Sequence, residues 1–366
     1  MVERKKVAIV IGRYYLTLPV VTGFYHLFDW DITVLDLDID ATHVAKDHFY
    51  AAVPPVKVLH LPGDNKTLAH FRETKYDFVI ATNITFRSVN WARSQGYIQR
   101  LYILFGAFLK PGVVKPSAQA VASPRSRTAR IMQAVFKPGL YARLKGYLKR
   151  YLQPAPLIPE NRKDAYDLIF CWNKTESFYY EGPRQKLTAH PYHLYLARQA
   201  QAAPFHGRIL MAHNGDPDYY TEGYNELIQA VITRFGDAHE VIIKAHPLGR
   251  NFPAFTGRYQ VIRDVIQEDA AAGFDIFICE DSYMAVEMFF RGKHVINFGL
   301  VDAGTSNLDF THLWSDHADN ILSEIQRVIL NWDAVQAAHV QALHSFYNNY
   351  NPPEEFGALR PMSAAQ

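Results

Sequence analysis

The stretch DIFICEDSYMAVEMFFRGKHVINFG, residues 275–299, sets the reading of the whole chain. A short apolar run (DIFIC) meets a polar turn at Glu280, Asp281 and Ser282. A helix-length segment follows with Met284, Val286, Met288 and Phe289 on its apolar face, and then a second apolar run (HVINF). Strand, helix, strand in so few residues is the unit of a parallel sheet covered by helices.

The same alternation runs outward in both directions. Strand-length runs fall at 207–215, 239–247, 259–264, 274–281 and 293–299, with helical segments near 221–235 and 282–291. An earlier series falls at 5–12, 31–38, 56–62, 76–83, 100–106 and 166–173, with helical candidates at 66–74 and 85–95. Each series predicts a doubly wound α/β domain, and two such domains create a ligand cleft at the carboxyl ends of their strands. The segment 181–207 shows no strand pattern and carries three prolines, which places the domain join near residue 200. The expected division is an N-terminal domain over 1–200, a C-terminal domain over 201–350 and a tail over 351–366, frayed from Asn351 onward. The C-terminal domain closes with two amphipathic helical patterns, 317–332 and 333–350.

Composition narrows the classes. With 366 residues, 49% hydrophobic and 20% charged, the chain can bury two cores, which excludes a disordered or fibrous protein. Two cysteines, Cys171 and Cys279, both in apolar runs, provide neither a disulfide framework nor a cysteine zinc site. That fits a reducing, cytoplasmic setting, and the apolar run before Gly12 is too short for the core of a secretory signal. No stretch reaches the roughly 18 apolar residues of a membrane span. The formal charge is only +2, yet residues 110–150 hold ten Lys/Arg and no acid, leaving the rest of the chain at −8. Basic residues interleaved with Ile, Val, Phe, Leu and Tyr fit either a solvated loop with a basic helix or docking on an anionic membrane surface. Without a recognition motif, nucleic acid is not expected.

Two constellations carry the chemistry. In EVIIKAHPLGRN (240–251) a strand ends in Lys244, His246 and Pro247. A cation and an imidazole there can meet a phosphate, and Pro247 biases His246 toward extended geometry. In the opening stretch, Ser282 starts a helix whose free N–H groups and dipole favour an anion, with Asp281 beside it. Glu287 is placed to accept from ribose hydroxyls. Each element alone also reads as ordinary capping and packing. Two adjacent carboxylates without further patterned oxygens do not make a metal site. IGRYYLTLP (11–19) holds a single glycine, so the dinucleotide fingerprint is missing; Arg13 faces either the cleft or solvent. LDLDID (35–40) reads as an ordinary strand end. No G-x-S-x-G, H-E-x-x-H or P-loop string occurs, so the commonest hydrolase, metalloprotease and ATPase readings fall away.

Together, strand-Lys-x-His-Pro followed by strand-acid-Asp-Ser-helix and GKHVINFG (292–299) resembles the second domain of CDP-glycerol glycerophosphotransferases. More loosely it resembles bacterial sialyltransferases and capsule Kdo transferases. The resemblance covers about residues 205–300 and implies the GT-B-like architecture: two Rossmann-like, doubly wound domains facing a central cleft, with the nucleotide held mainly by the C-terminal one. It implies that His246 and the Ser282 helix terminus contact the donor phosphate. It also implies a CMP- or CDP-activated donor carrying a sugar acid or a polyol phosphate, a glycan or glycolipid acceptor, and work on a bacterial capsule or other surface polysaccharide at the inner face of the plasma membrane. No cofactor and no metal are expected. The loop HNGDPD (213–218) replaces the family's Thr-Trp-Arg, and YILFGAFLKPG (102–112) aligns Gly106, Leu109 and Lys110 with a WHGTPLK element whose histidine falls on Phe105. For the base that deprotonates the acceptor, His213 and Asp216 come first and Asp64 third. A UDP-sugar glycosyltransferase and a non-catalytic scaffold of a polysaccharide complex are the alternatives.

Overall fold

The computed structural model describes residues 4–38, 43–82, 87–104, 167–171, 185–213, 223–245, 252–262, 273–280, 282–299 and 310–360. The basic segment 110–150 and residues 361–366 lie outside them.

Seven parallel strands form the first sheet: β1 Lys5–Val10, β2 Trp30–Asp36, β3 Lys57–His60, β4 Phe78–Ala81, β5 Leu101–Leu104, β6 Leu168–Cys171 and β7 Gln185–Leu187, in the order β3-β2-β1-β4-β5-β6-β7. Helices α1 (Tyr14–Leu27), α2 (His43–Ala52), α3 (Asp64–Glu73) and α4 (Arg87–Ser94) belong to this lobe. The central strands are apolar along their length because helices cover both faces. Val7 and Ile9 enter one core with Phe24 of α1, while Ala8 and Val10 enter the other with Phe71 of α3 and Val89 of α4.

Six parallel strands form the second sheet: β8 Arg208–His213, β9 Glu240–Ala245, β10 Gln260–Ile262, β11 Ile276–Cys279, β12 His294–Phe298 and β13 Leu313–Ser315, in the order β10-β9-β8-β11-β12-β13. Helices α6 (Tyr224–Phe235) and α8 (Ala318–Leu330) cover one face, and α7 (Tyr283–Phe290) covers the other.

Helix α5 (Pro191–Gln199) joins the lobes. It packs so closely on α1 that a Cβ on Gly23 would lie 2.4 Å from the Pro191 carbonyl carbon and the Tyr192 nitrogen. Ala197 of α5 then shares a small core with Val286 and Phe290 of α7 and Leu343 of α9 (Trp332–Asn348). His193 stacks on Phe290 with centroids 4.6 Å apart and planes 5° from parallel.

Two expectations are corrected. Residues 181–207 do contain a strand: β7, three residues at the sheet edge, is too short to show a period, and it pairs in parallel with β6. Residues 351–360 are not frayed. Phe356 is 2% exposed among Phe24, Phe28, Trp30 and Phe170, and its carbonyl accepts from Trp30 Nε1 at 3.2 Å. Burial of one phenyl ring, about 2 kcal/mol, anchors a stretch whose Pro and Glu content reads as solvated. Among the described residues, no helix is long and apolar enough to cross a membrane.

Candidate functional site

In the second sheet the strand order reverses between β8 and β11, and their carboxyl ends open the crevice where an α/β sheet binds ligands. Tyr224, 1% exposed, holds this point together: its hydroxyl donates to Ala212 O at 2.7 Å and Ile278 O at 3.3 Å, one carbonyl from each strand. Gly223 precedes it with φ +97°, a left-handed conformation that suits glycine, and caps α6. The amino terminus of α6 therefore starts at the switch point, and the Phe298 ring would lie 3.5 Å from a Cβ at Gly223.

The structure brings three of the sequence-predicted residues to this edge. His213 ends β8, with Ala245 of β9 as its register partner. It is 2% exposed, Nε2 lies 3.0 Å from Asn225 Oδ1, and the Phe252 ring meets it edge-on at 5.0 Å. Burial pushes its imidazole below the ordinary value, against the pull of the Asn225 hydrogen bond, so it is neutral at pH 7. Lys244 is partly buried one residue before the end of β9, in register with Ala212 of β8. Ser282 follows β11 and caps α7, its Oγ accepting from the Met284 N–H at 3.3 Å. Beside it Glu280 is 8% exposed. Cys279 donates to Asn297 Oδ1 at 2.8 Å, while Asn297 Nδ2, fully buried, has no acceptor among the described residues.

Glu287 takes a different place. It accepts from Arg291 Nε at 3.0 Å and Nη2 at 2.9 Å, and the same Nη2 donates to Tyr192 OH of α5 at 2.6 Å. The group ties α7 to the joining helix. Asp216, His246, Pro247 and Asp281 lie outside the described residues, as do Phe105, Gly106, Leu109 and Lys110. Asp64 is exposed in the first turn of α3, and Arg13 is the exposed N-cap of α1.

The first sheet reverses between β1 and β4. There the Gly12 N–H donates to Thr82 Oγ1 at 2.9 Å and Thr17 Oγ1 at 3.3 Å, and the two hydroxyls lie 3.1 Å apart. The neighbouring strand end, LDLDID, is more than the ordinary strand end its sequence suggests. Asp36, the last residue of β2, is 1% exposed and sits in a cluster with Tyr14, Tyr50 and His60. LDLDID reads as an ordinary strand end because those partners come from α1, α2 and β3, at distances along the chain that no local pattern spans.

No protein-family model matches the chain, and no curated protein matches it. Solved structures do. The Anabaena protein Alr3699/HepE in complex with UDP superposes with a TM-score of 0.53 at 12% identity over 94% of this chain and 95% of its own. A UDP-GlcNAc 2-epimerase from Neisseria meningitidis bound to UDP-GlcNAc gives 0.51 at 10% identity over 91% and 94%. The glycotransferase of kitacinnamycin gives 0.50 at 10% identity over 95% and 96%. At such identities the likeness speaks of the fold, because one architecture hosts many activities. The chain has the GT-B-like α/β fold, two Rossmann-like doubly wound domains facing a central cleft.

Proposed function

We propose that the chain is a glycosyl-transfer-type enzyme that takes a nucleotide-activated donor at the carboxyl ends of β8, β9 and β11. The observation that carries this is the second sheet's switch point. There α6 and α7 begin after β8 and β11, and Lys244 lies one residue before the end of the adjacent β9, so backbone N–H groups and a cation belong to the same edge of the sheet. Transfer needs the departing phosphate's charge neutralised, and Lys244, His246 and the amides at Ser282 supply that without a metal in this reading. Asp281, beside Ser282, is a further donor-side candidate, whereas Glu287 is held by Arg291. His213, neutral and bound to Asn225, orders the start of α6.

The motif resemblance favours a CMP- or CDP-activated donor. The UDP and UDP-GlcNAc held by structures of the same fold favour a UDP-sugar. The acceptor is a glycan or glycolipid, and the ten basic residues of 110–150 would dock the protein on anionic lipid.

A thermal-shift screen of the whole chain against CMP, CDP, UMP, UDP, GDP and ADP tests the reading. A nucleotide at 100 times its Kd adds about 2.7 kcal/mol to the native state. Stabilisation that is lost in Lys244→Ala, His246→Ala and Ser282→Ala supports the site, and the base that stabilises identifies the donor. If no nucleotide shifts the transition, the non-catalytic scaffold becomes the better reading.

A further inference from the structure

At the carboxyl edge of the first sheet, Asp36 and His60 face each other as register partners on β2 and β3. Asp36 is 1% exposed, whereas the His60 side chain is 47% exposed. Asp36 Oδ1 accepts from the Tyr14 hydroxyl at 2.9 Å and the Asp38 N–H at 2.9 Å, and Oδ2 accepts from the Tyr50 hydroxyl at 2.6 Å. His60 Nδ1 lies 3.2 Å from Oδ2. Burial alone would raise the Asp36 carboxyl. The hydrogen bonds from Tyr50, the Asp38 N–H and Tyr14 more than offset it, so the group is held below the usual range and is ionised at neutral pH.

An ionised carboxylate can only accept, so the ring atom facing it carries the proton, and a neutral imidazole then keeps its lone pair on the other nitrogen. The half-exposed ring therefore offers Nε2 as a proton acceptor. The other charged groups at the cluster are Asp38 and Lys46, whose Nζ lies 2.7 Å from Asp38 Oδ1 and 3.9 Å from Asp36 Oδ2. The oxygens, nitrogens and spacing of Asp36, Asp38 and His60 would also suit a shared metal ion, but here Lys46 supplies the positive charge and Asp36 is already filled by donors.

We propose that His60 is the general base of the transfer, with Asp36 as its positioning residue; this rests on the glycosyl-transfer reading above. As the acceptor oxygen bonds to the donor's anomeric carbon, its proton passes to His60 Nε2. The bond from that carbon to the nucleotide phosphate breaks, and its electron pair leaves on the phosphate oxygen. The imidazolium formed is stabilised by the Asp36 carboxylate and returns its proton to water.

Two arms test this on the whole chain. First, long-range proton–nitrogen spectra of the 15N-histidine-labelled protein, with His60 assigned by its loss in His60→Gln, are expected to show the Nδ1–H tautomer. Tyr50→Phe is expected to keep it, and Asp36→Asn, whose side chain can donate, is expected to shift the proton toward Nε2. A neutral wild-type His60 protonated on Nε2, or a Zn2+ or Mn2+ ion bound there by titration, would overturn the proposal. Second, with the donor that the nucleotide screen selects, His60→Gln is expected to lower kcat about 100-fold or more while leaving the donor KM within about twofold. An unchanged kcat would overturn the proposal. If no nucleotide stabilises the wild-type chain, the donor reading falls and the ring spectrum alone decides whether Asp36 aims His60 as a base.

Discussion

Among the described residues, two aspartate–histidine pairs have the same length and are built differently. Asp36 and His60 sit at the carboxyl ends of the first sheet's strands, and Asp275 and His206 at the amino ends of the second's; each has a carboxylate 1% exposed and Nδ1 3.2 Å away. Asp275 spends its remaining capacity on backbone: it accepts from the His206 N–H at 3.1 and 3.0 Å and the Arg208 N–H at 2.8 Å, pinning the chain that enters β8 to the start of β11. Asp36 accepts instead from two tyrosine hydroxyls and one backbone N–H, which holds a side chain without stapling a strand. Identical chemistry thus does two jobs, and the end of the sheet decides which one can reach a ligand.

The comparison is broken most sharply by removing Asp275. Asp275→Ala strips the acceptor from three buried or half-buried donors and is expected to cost about 3 kcal/mol or more, read as a lower urea midpoint with an unchanged slope. Nucleotide stabilisation, corrected for the lower baseline, is expected to remain. A loss below about 1 kcal/mol would mean the staple is idle.

A third kind of histidine sharpens it. His190, which caps α5, is fully buried, and burial pushes its ring down to about 3; burial and its neighbours likewise hold His339 at about 4. The unfolded chain takes up these protons near pH 6.5 and the fold refuses them, so stability is complete above that value. It falls as the pH drops, by about 1.4 kcal/mol per unit per ring, until the folded values are reached. Melting temperatures between pH 7.5 and 5 are expected to decline, and His339→Gln is expected to flatten the slope. A pH-independent melting temperature in this window would refute the burial argument.

Tyr50→Phe is a smaller intervention. It removes the 2.6 Å donor to Asp36 and is expected to cost about 1 to 2 kcal/mol, as a hydrogen bond to a buried charge does. Smallest are the two partly exposed rings themselves. His60→Ala and His206→Ala are each expected to change stability by about 1 kcal/mol or less, since each ring is partly exposed and each carboxylate keeps its other donors. They separate by function: His60→Ala is expected to lower turnover about 100-fold or more and His206→Ala to leave it unchanged. Equal effects on turnover would erase the distinction between the sheet ends.

Much of the fold was legible because buried parallel strands must be apolar on both faces, which shows as runs such as VAIV at 7–10 and IFIC at 276–279. The elements that escaped notice are those whose stability is borrowed. β7 and β13 are three-residue edge strands held by a neighbour, and α1 carries Pro19 and Gly23 inside its span. Gly23 breaks the local pattern yet is what lets α5 approach. The candidate donor edge was partly legible: Lys244, Ser282 and His213 do end at adjacent strands. Glu287 was legible as a carboxylate on α7, but its engagement by Arg291 and, through it, Tyr192 depended on how α5 packs.

By itself, the sequence determined that the chain alternates strand and helix in two series and carries a charge-bearing strand end and a serine-capped helix in the second. Those features follow from local patterns of burial and capping that repeat within a few residues. Tertiary structure alone decided which polar groups meet. Because the first sheet runs β3-β2-β1-β4, Asp36 gathers Tyr14, Tyr50 and His60 from three other elements, and Phe356 returns from the far end of the chain to sit against Trp30. Sheet order is set by how apolar faces are best buried, not by the order of residues, so the polar constellation at the sheet's edge becomes visible only once the strands are in place.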